Sequence, residues 1–248
     1  MQSATRGRSG TAEILEQMGP GDQVFLDYDG TLVPISSDPT SCFADRELLS
    51  ILDGLGEEYD MYIVTGRSAE DMRRFLPPRY RVIALHGALL LTSEGDVPLI
   101  PDYSRYVEIC NSIALRKNEI REMFHGARLY NKVGGITVNT WLMDTATRGR
   151  LEDFMRSLAE ESGMELYLGK QVVELRIPGV NKGDAIRKFR KHGRKALIAG
   201  DDITDEEAFI KNSDALTVKV GPGETSARYR VSDYMEMRSL LRELIRRS

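Results

Sequence analysis

Val24-Phe25-Leu26-Asp27-Tyr28-Asp29-Gly30-Thr31-Leu32 decides how this chain is read. Three apolar residues end on a carboxylate, a second carboxylate follows two positions later, and a glycine comes next. A short, continuous apolar run suits a strand buried on both faces. Two carboxylates at i and i+2 past the end of that strand point the same way once the chain turns at Gly30. Clustered carboxylates repel one another, and Mg2+, a hard cation that prefers oxygen, relieves the repulsion.

Four more runs of the same kind lie outward from this one. Met61-Tyr62-Ile63-Val64 precedes Thr65, and Val82-Ile83-Ala84-Leu85 precedes His86. Ala196-Leu197-Ile198-Ala199 precedes Gly200-Asp201-Asp202, and Ala215-Leu216-Thr217-Val218 stands further on. Helical patterns over 45–58, 69–76, 182–191, 205–211 and 233–246 lie between and after them. Strand and helix alternate, so the expected class is α/β with a doubly wound, Rossmann-like parallel sheet. Such sheets bind ligands beyond the carboxyl ends of their strands. Asp27, Thr65 and Asp201 each stand just past a predicted strand, so three runs deliver polar groups to one rim.

The middle of the chain has another rhythm. A helix is predicted over 102–124, a hairpin over 127–133 and 135–141 about Gly134-Gly135, and a helix over 147–161. A second hairpin, 164–168 with 171–177, turns at Gly169-Lys170. This pattern predicts a smaller α+β domain inserted at 99–179. Residues 21–98 and 180–248 form the core, and 1–20 a flexible extension with a short helix over 11–18.

The 248 residues carry a formal net charge of −4, with 41% hydrophobic and 29% charged residues. That balance fits a soluble globular protein with a sizeable core and lacks the basic stripe of a nucleic-acid binder. Arg242 to Arg247 alternates with Leu and Ile and reads as the wet face of a last helix. No apolar run approaches the ~18 residues of a membrane span, and the polar start lacks the apolar stretch of a secretory signal. Cys42 and Cys110 match no metal spacing and no disulfide framework, which suits a reducing compartment. A cytoplasmic protein with neither a nucleic-acid nor a membrane partner is expected.

The stretch 24–32 resembles the first motif of the haloacid dehalogenase superfamily, and three further motifs follow in order. Val64-Thr65-Gly66-Arg67 resembles the second, Lys182 within Val180-Asn181-Lys182-Gly183 the third, and Ala199-Gly200-Asp201-Asp202-Ile203-Thr204-Asp205-Glu206 the fourth. The resemblance implies Asp27 as nucleophile, forming an aspartyl-phosphate, and Asp29 as general acid and then base. Thr65 would hold a phosphoryl oxygen through its hydroxyl and backbone N–H, with Gly66 and Arg67 beside it on the substrate. Lys182 would balance the charge on nucleophile and phosphate. The implied Mg2+ ligands are Asp27, Asp201 and the backbone carbonyl of Asp29. Asp205 is expected to orient Lys182 or a metal-bound water, and Asp202 either to support the site or to cap the next helix.

Asp29 narrows the reaction. Relatives that keep a long-lived aspartyl-phosphate carry Thr at this position, so a carboxylate implies a phosphatase or, as a weaker reading, a phosphomutase. Only 35 residues separate Asp29 from Thr65, whereas 116 separate Thr65 from Lys182. The inserted domain therefore sits as a cap between the second and third motifs, which disfavours the phosphomutase.

Within caps so placed, the stretch 167–176, Tyr-Leu-Gly-Lys-Gln-Val-Val-Glu-Leu-Arg, followed by Asn181-Lys182-Gly183, is similar to trehalose-6-phosphate phosphatases. That similarity implies a small-molecule sugar phosphate as substrate, with Lys170 and Glu174 facing its hydroxyl groups; a surface salt link is the other reading of that pair. Arg176 is expected to support Glu174 or the hinge. The family's first cap hairpin usually carries Glu-x-Lys and His-Tyr-Arg. Here stand Tyr130-Asn131-Lys132 and Val138-Asn139-Thr140, so Lys132 alone remains a candidate. Mannosyl-3-phosphoglycerate or sucrose-phosphate phosphatase is the near alternative, and a non-catalytic sugar-phosphate-binding regulator the alternative of another class. His86 is read as structural and Trp141 as cap core rather than a sugar platform.

Overall fold

The computed structural model describes residues 6–36, 38, 40–169 and 171–247, the side chains of 6–9 excepted. The chain begins with α1 (Arg6–Gln17), β1 (Gln23–Leu26), α2 (Arg46–Glu58), β2 (Asp60–Val64), α3 (Ala69–Phe75) and β3 (Val82–Ala84). A 3-10 turn (Leu85–Gly87) leads into β4 (Leu89–Thr92) and β5 (Gly95–Pro98). Then follow α4 (Tyr103–Leu115), α5 (Lys117–Met123), β6 (Arg128–Asn131), β7 (Ile136–Asn139), α6 (Thr145–Ser162), β8 (Glu165–Leu168) and β9 (Val172–Arg176). The chain closes with α7 (Lys182–Phe189), β10 (Ala196–Gly200), α8 (Ile203–Lys211), β11 (Leu216–Val220), β12 (Tyr229–Val231) and α9 (Tyr234–Arg247).

Among the described residues, eight strands form the main sheet in the order β12-β11-β10-β1-β2-β3-β4-β5. From β12 to β3 the neighbours are parallel, and β4 and β5 add an antiparallel edge. β1 shows why the apolar runs are continuous. Val24 and Leu26 join one apolar cluster, with α2 and α9, while Phe25 joins another beneath α7 and α8. Both faces of the strand are covered, so alternation vanishes. Helix α2 starts where the Asp45 carboxylate accepts the Leu48 N–H at 2.8 Å, and its Leu48, Ile51, Leu52 and Leu55 form one buried stripe.

β6 to β9 make a separate four-stranded antiparallel sheet in the order β6-β7-β9-β8, backed by α4, α5 and α6. In this second lobe Ile136, Val138, Val173 and Leu175 enter its apolar core with Leu151 and Met155. Alternation turns the cross-strand pair Thr137 and Glu174 to the opposite face. No helix among the described residues is long and apolar enough to cross a membrane.

Two expectations change. The helix expected over 102–124 is two, because the chain turns at Arg116 and so brings Ile120 and Phe124 into the same core as Cys110 and Ile113. In the segment 1–20, expected as a flexible extension with a short helix over 11–18, residues 1–5 lie outside the described residues and a helix forms as α1, Arg6–Gln17, but Ile14, Leu15 and Met18 join the main core rather than a flexible extension. Ile14 is 1% exposed. The helix is legible from sequence, but its packing on β12 and α9 appears only in the folded chain.

If α1 belongs to the folded core, Ile14→Ala should lower unfolding free energy by about 2–4 kcal/mol, read by urea denaturation. A loss below about 0.5 kcal/mol, the size of a surface substitution, would mean that α1 is dispensable.

Candidate active site

The chain builds β1, β2 and β3 outward in one direction, then returns to lay β10 against the other side of β1. The point between β1 and β10 is therefore the topological switch, where loops diverge and leave a crevice. The Asp27 N–H donates to the Ala199 carbonyl at 2.9 Å and fixes the first carboxylate beside β10. Asp201 follows β10 directly. Gly30, at φ +80°, is required here twice over: its conformation favours glycine, and a Cβ would lie 2.2 Å from Asp201 Oδ2. Asp201 thus closes over the turn that carries Asp27 and Asp29.

Lys182 opens α7, behind an Asn181 N-cap that accepts the Asp184 N–H at 2.9 Å. Its Nζ donates to Asp27 Oδ1 at 2.6 Å and to Asp205 Oδ1 at 2.8 Å. Burial opposes the ammonium charge, but the Asp205 and Asp27 carboxylates outweigh it and raise the Lys182 pKa well above the usual lysine range. Burial pushes the Asp27 pKa up; Lys182 pulls it down, and Asp205, Asp201 and Asp202 push it further up. Asp201 is pushed up to about 7 by burial and then by Asp205 and Asp202.

Asp27, Asp201 and Asp205 each bring a carboxylate oxygen to within 4.8 Å of the other two. A hard divalent cation suits such a set. The second Asp205 oxygen is already used, accepting the N–H groups of Asp201 and Asp202 at 3.0 and 3.1 Å. Asp27 and Asp201 are therefore the carboxylates with capacity for a metal, and Asp205 orients Lys182 and the loop. Asp202 caps α8, accepting from the Thr204 N–H at 2.8 Å in a reciprocal box with Asp205. Burial acts against its charge, yet Lys182 and the Thr204 bonds hold it at about 2.

The Asp29 carboxylate turns away from this cluster. It accepts two bonds from Arg67, Nε to Oδ2 at 2.7 Å and Nη2 to Oδ1 at 2.6 Å. Arg67, expected on the substrate, is thus committed to Asp29, while its guanidinium lies over the Phe75 ring. Thr65 stands at the end of β2 near Asp27, but its backbone N–H does not face a ligand as expected. It donates to the Ile83 carbonyl at 2.9 Å, extending the β2–β3 ladder by one residue. The Thr65 hydroxyl oxygen accepts the Arg67 N–H at 3.1 Å, leaving its own proton to donate into the cleft.

Across the cleft, Glu174 is buried and saturated. Its Oε1 accepts from Lys132 Nζ at 2.7 Å and Thr137 Oγ1 at 2.8 Å, and Oε2 from Arg176 Nε at 2.7 Å. Burial would raise its pKa, but the Lys132 and Arg176 cations hold it well below the usual carboxylate range. Lys132 also donates to the Gly66 carbonyl at 3.1 Å, tying the second lobe to the loop after β2. Lys170 lies outside the described residues.

His86 is half-buried at this junction, with φ +58° and both ring nitrogens without a hydrogen-bond partner. Burial and then Arg176 hold it well below its usual pKa, so the ring is neutral.

One open cleft of about 640 Å3 holds Asp27, Asp29, Thr65, Gly66, Arg67, Lys132, Glu174, Lys182, Asp201 and Asp202 together. Ile35 and Trp141 stand on its walls as well. Trp141 is not lobe core, as the sequence reading had it; it is half-exposed on the turn after β7. Lys219 was missed. It is buried on β11, donates to the Asp201 carbonyl, and lies 3.9 Å from Glu206. A lysine beside an apolar strand run was the available signal, because charges in such runs need a partner.

The match to the trehalose-phosphatase family runs over residues 25–234, from β1 to the first residue of α9. A trehalose-6-phosphate phosphatase-related protein from Thermoplasma acidophilum is 44% identical over 219 residues, covering 88% of this chain and 95% of that protein. The Escherichia coli trehalose-6-phosphate phosphatase is 28% identical, covering 88% and 84%. The crystal structure of a trehalose-6-phosphate phosphatase-related protein superposes with a TM-score of 0.86 at 43% identity, over 90% of this chain and 97% of that one. The C-terminal domain of the Candida albicans trehalose-6-phosphate phosphatase, at 21% identity and a TM-score of 0.76, shares the fold. The motifs gathered at the β1–β10 crevice lie inside these matches, and the chain belongs to the trehalose-phosphatase family, a family of phosphoric monoester hydrolases.

Proposed function

We propose that the chain hydrolyses a sugar phosphate, trehalose 6-phosphate before others, through an aspartyl-phosphate on Asp27. One observation carries the chemistry: Asp27, Lys182, Asp205 and Asp201 converge at the switch point, with Asp29 two residues from Asp27. Phosphoryl transfer asks mainly for positioning and charge neutralisation, and this cluster supplies both. The substrate reading draws on the names of the Thermoplasma and Escherichia coli relatives.

In the first step an Asp27 carboxylate oxygen attacks phosphorus, and the bond from phosphorus to the sugar oxygen breaks. Asp29 gives its proton to the departing alkoxide. In the second step water attacks the phosphoryl group while Asp29 takes its proton. The phosphorus–Asp27 bond then breaks, releasing phosphate and the free carboxylate. Lys182 pulls the Asp27 pKa down against burial and balances the added charge, and the Thr65 hydroxyl donates to a phosphoryl oxygen. Arg67 holds the Asp29 carboxylate rather than reading the sugar, and Asp29 turns from Arg67 toward the leaving oxygen when it acts as acid and base. Asp27, Asp201 and the Asp29 carbonyl would hold Mg2+, which supplies positive charge to the phosphoryl oxygens. The second lobe acts as a cap, and the Glu174 hub aims the Lys132 ammonium at the sugar.

Asp27→Asn should leave less than about a tenth of the wild-type rate, since an amide is a far weaker nucleophile. Phosphate release at or above that level, in a variant with unchanged melting, would remove Asp27 from the mechanism.

The metal has a signature in stability as well as rate. An unfolded Asp releases its proton near about pH 4, whereas folded Asp201 releases it at about 7. Between those values the folded state carries the extra proton. Metal-free protein should therefore lose stability as pH rises from about 4 to about 7. Mg2+ should restore it, with a larger melting shift at the upper end of that range. A Mg2+ shift that is flat across the range, or absent, contradicts the assigned ligands.

Substrate choice is tested at Lys132, because removing Glu174 would leave Lys132 and Arg176 buried without their anion. Lys132→Met should lower kcat/KM for trehalose 6-phosphate about ten- to a hundred-fold and barely change p-nitrophenyl phosphate. A side-by-side assay with sucrose 6-phosphate, mannosyl-3-phosphoglycerate and glucose 6-phosphate measures the preference. Equal loss on all substrates would mean that Lys132 serves closure or folding.

A further inference from the structure

We infer that Trp141, together with Ile35, forms an apolar lip that grips the non-phosphorylated end of the substrate, so that Trp141 is a specificity-determining residue. The inference rests on the sugar-phosphate reading and extends it to a part of the cleft that none of the motifs reaches.

Trp141 is 50% exposed and Ile35 72% exposed, and both line the cleft that holds Asp27. They come from different bodies: Ile35 from the loop after β1 on the main sheet, Trp141 from the turn after β7 on the second lobe. Both side chains line the cleft that would take the substrate, so a bound ligand can cover them. Trp141 is also held in place locally. Its backbone N–H donates to Asn139 Oδ1 at 3.0 Å, and the Thr140 backbone N–H beside it donates to the Gln171 carbonyl at 2.9 Å. Asn139 and Gln171 line the same wall.

A flat indole flanked by amide side chains is the chemistry of a carbohydrate site. The C–H face of a pyranose ring lies on the aromatic surface, and its hydroxyl groups exchange hydrogen bonds with the amides. The phosphoryl end is held at Asp27 and Lys182, so the lip in the same cleft is left to the rest of the substrate.

Trp141 is the single tryptophan of the chain, so its fluorescence reports the contact directly. In the Asp27→Asn background, with Mg2+ present, trehalose 6-phosphate should shift the emission and protect the indole from acrylamide quenching. Inorganic phosphate, which occupies only the Asp27 end, should do neither. In the otherwise wild-type enzyme, Trp141→Ala should raise KM for trehalose 6-phosphate about three- to ten-fold, Trp141→Phe should recover much of that loss, and acetyl phosphate turnover should be unchanged. Binding of trehalose 6-phosphate to Asp27→Asn, read by calorimetry, without protection of Trp141, or equal losses with acetyl phosphate in Trp141→Ala, overturns the lip. Protection by another disaccharide phosphate that is also the better substrate upholds the lip and replaces the proposed substrate.

Discussion

Lys182 is the buried ammonium on which the site depends. Asp27, Asp201, Asp202 and Asp205 all face one crevice, and four carboxylates in that space would repel one another. Burying such charges is costly unless they are paired and hydrogen-bonded. The chain meets this constraint with a cation at the first residue of α7, bonded to Asp27 and Asp205 together. Asp205 spends its other oxygen on the backbone N–H groups that open α8. Lys219 anchors the Asp201 carbonyl from the neighbouring strand. Gly30 is small enough to let Asp201 approach. The doubly wound sheet makes all of this local, since β1 and β10 are adjacent although 155 positions separate Asp27 from Lys182.

A second charge centre joins the two lobes. Glu174 is surrounded by Lys132, Arg176 and Thr137, and Lys132 reaches the Gly66 carbonyl on the loop after β2. The second lobe has its own apolar core and meets the main one through Tyr106, which packs against both, while its contact with the site runs through these polar groups. The hub itself is buried, so breaking it would leave charges without partners, which makes it a specific tie between the lobes. The Asp29–Arg67 pair lies on the same seam, next to the loop that Lys132 holds.

The main sheet was legible because its strands are buried on both faces, and burial writes continuous runs such as Phe25 and its neighbours. The residues at the strand ends were legible because carboxylates and threonine just after such runs have few structural reasons to be there. The antiparallel edge β4 and β5 was not read, since Gly95–Pro98 is exposed and carries no apolar pattern. Partnerships were harder than positions. Arg67 is visible beside Thr65, but only the folded chain shows it spanning 38 positions to Asp29. Glu174 reads as a surface or sugar-facing carboxylate on an alternating strand; three donors from β7, β9 and the turn after β6 make it a buried hub. Trp141 was misjudged because an aromatic in a hairpin is usually core, whereas here the turn carries it past the edge of the lobe's core into the cleft.

The central claim is that phosphorus is bonded, for part of each turnover, to Asp27. The most direct measurement is mass spectrometry of acid-quenched Asp29→Asn enzyme after mixing with trehalose 6-phosphate and Mg2+. Without the Asp29 carboxylate to activate water, the second step should slow more than the first and the intermediate should accumulate. The account predicts one added phosphoryl group on the peptide that contains Asp27, absent when Asp27 is also replaced by Asn. Product sugar formed in a burst with no phosphoryl group on that peptide, or with the group on another residue, would contradict it.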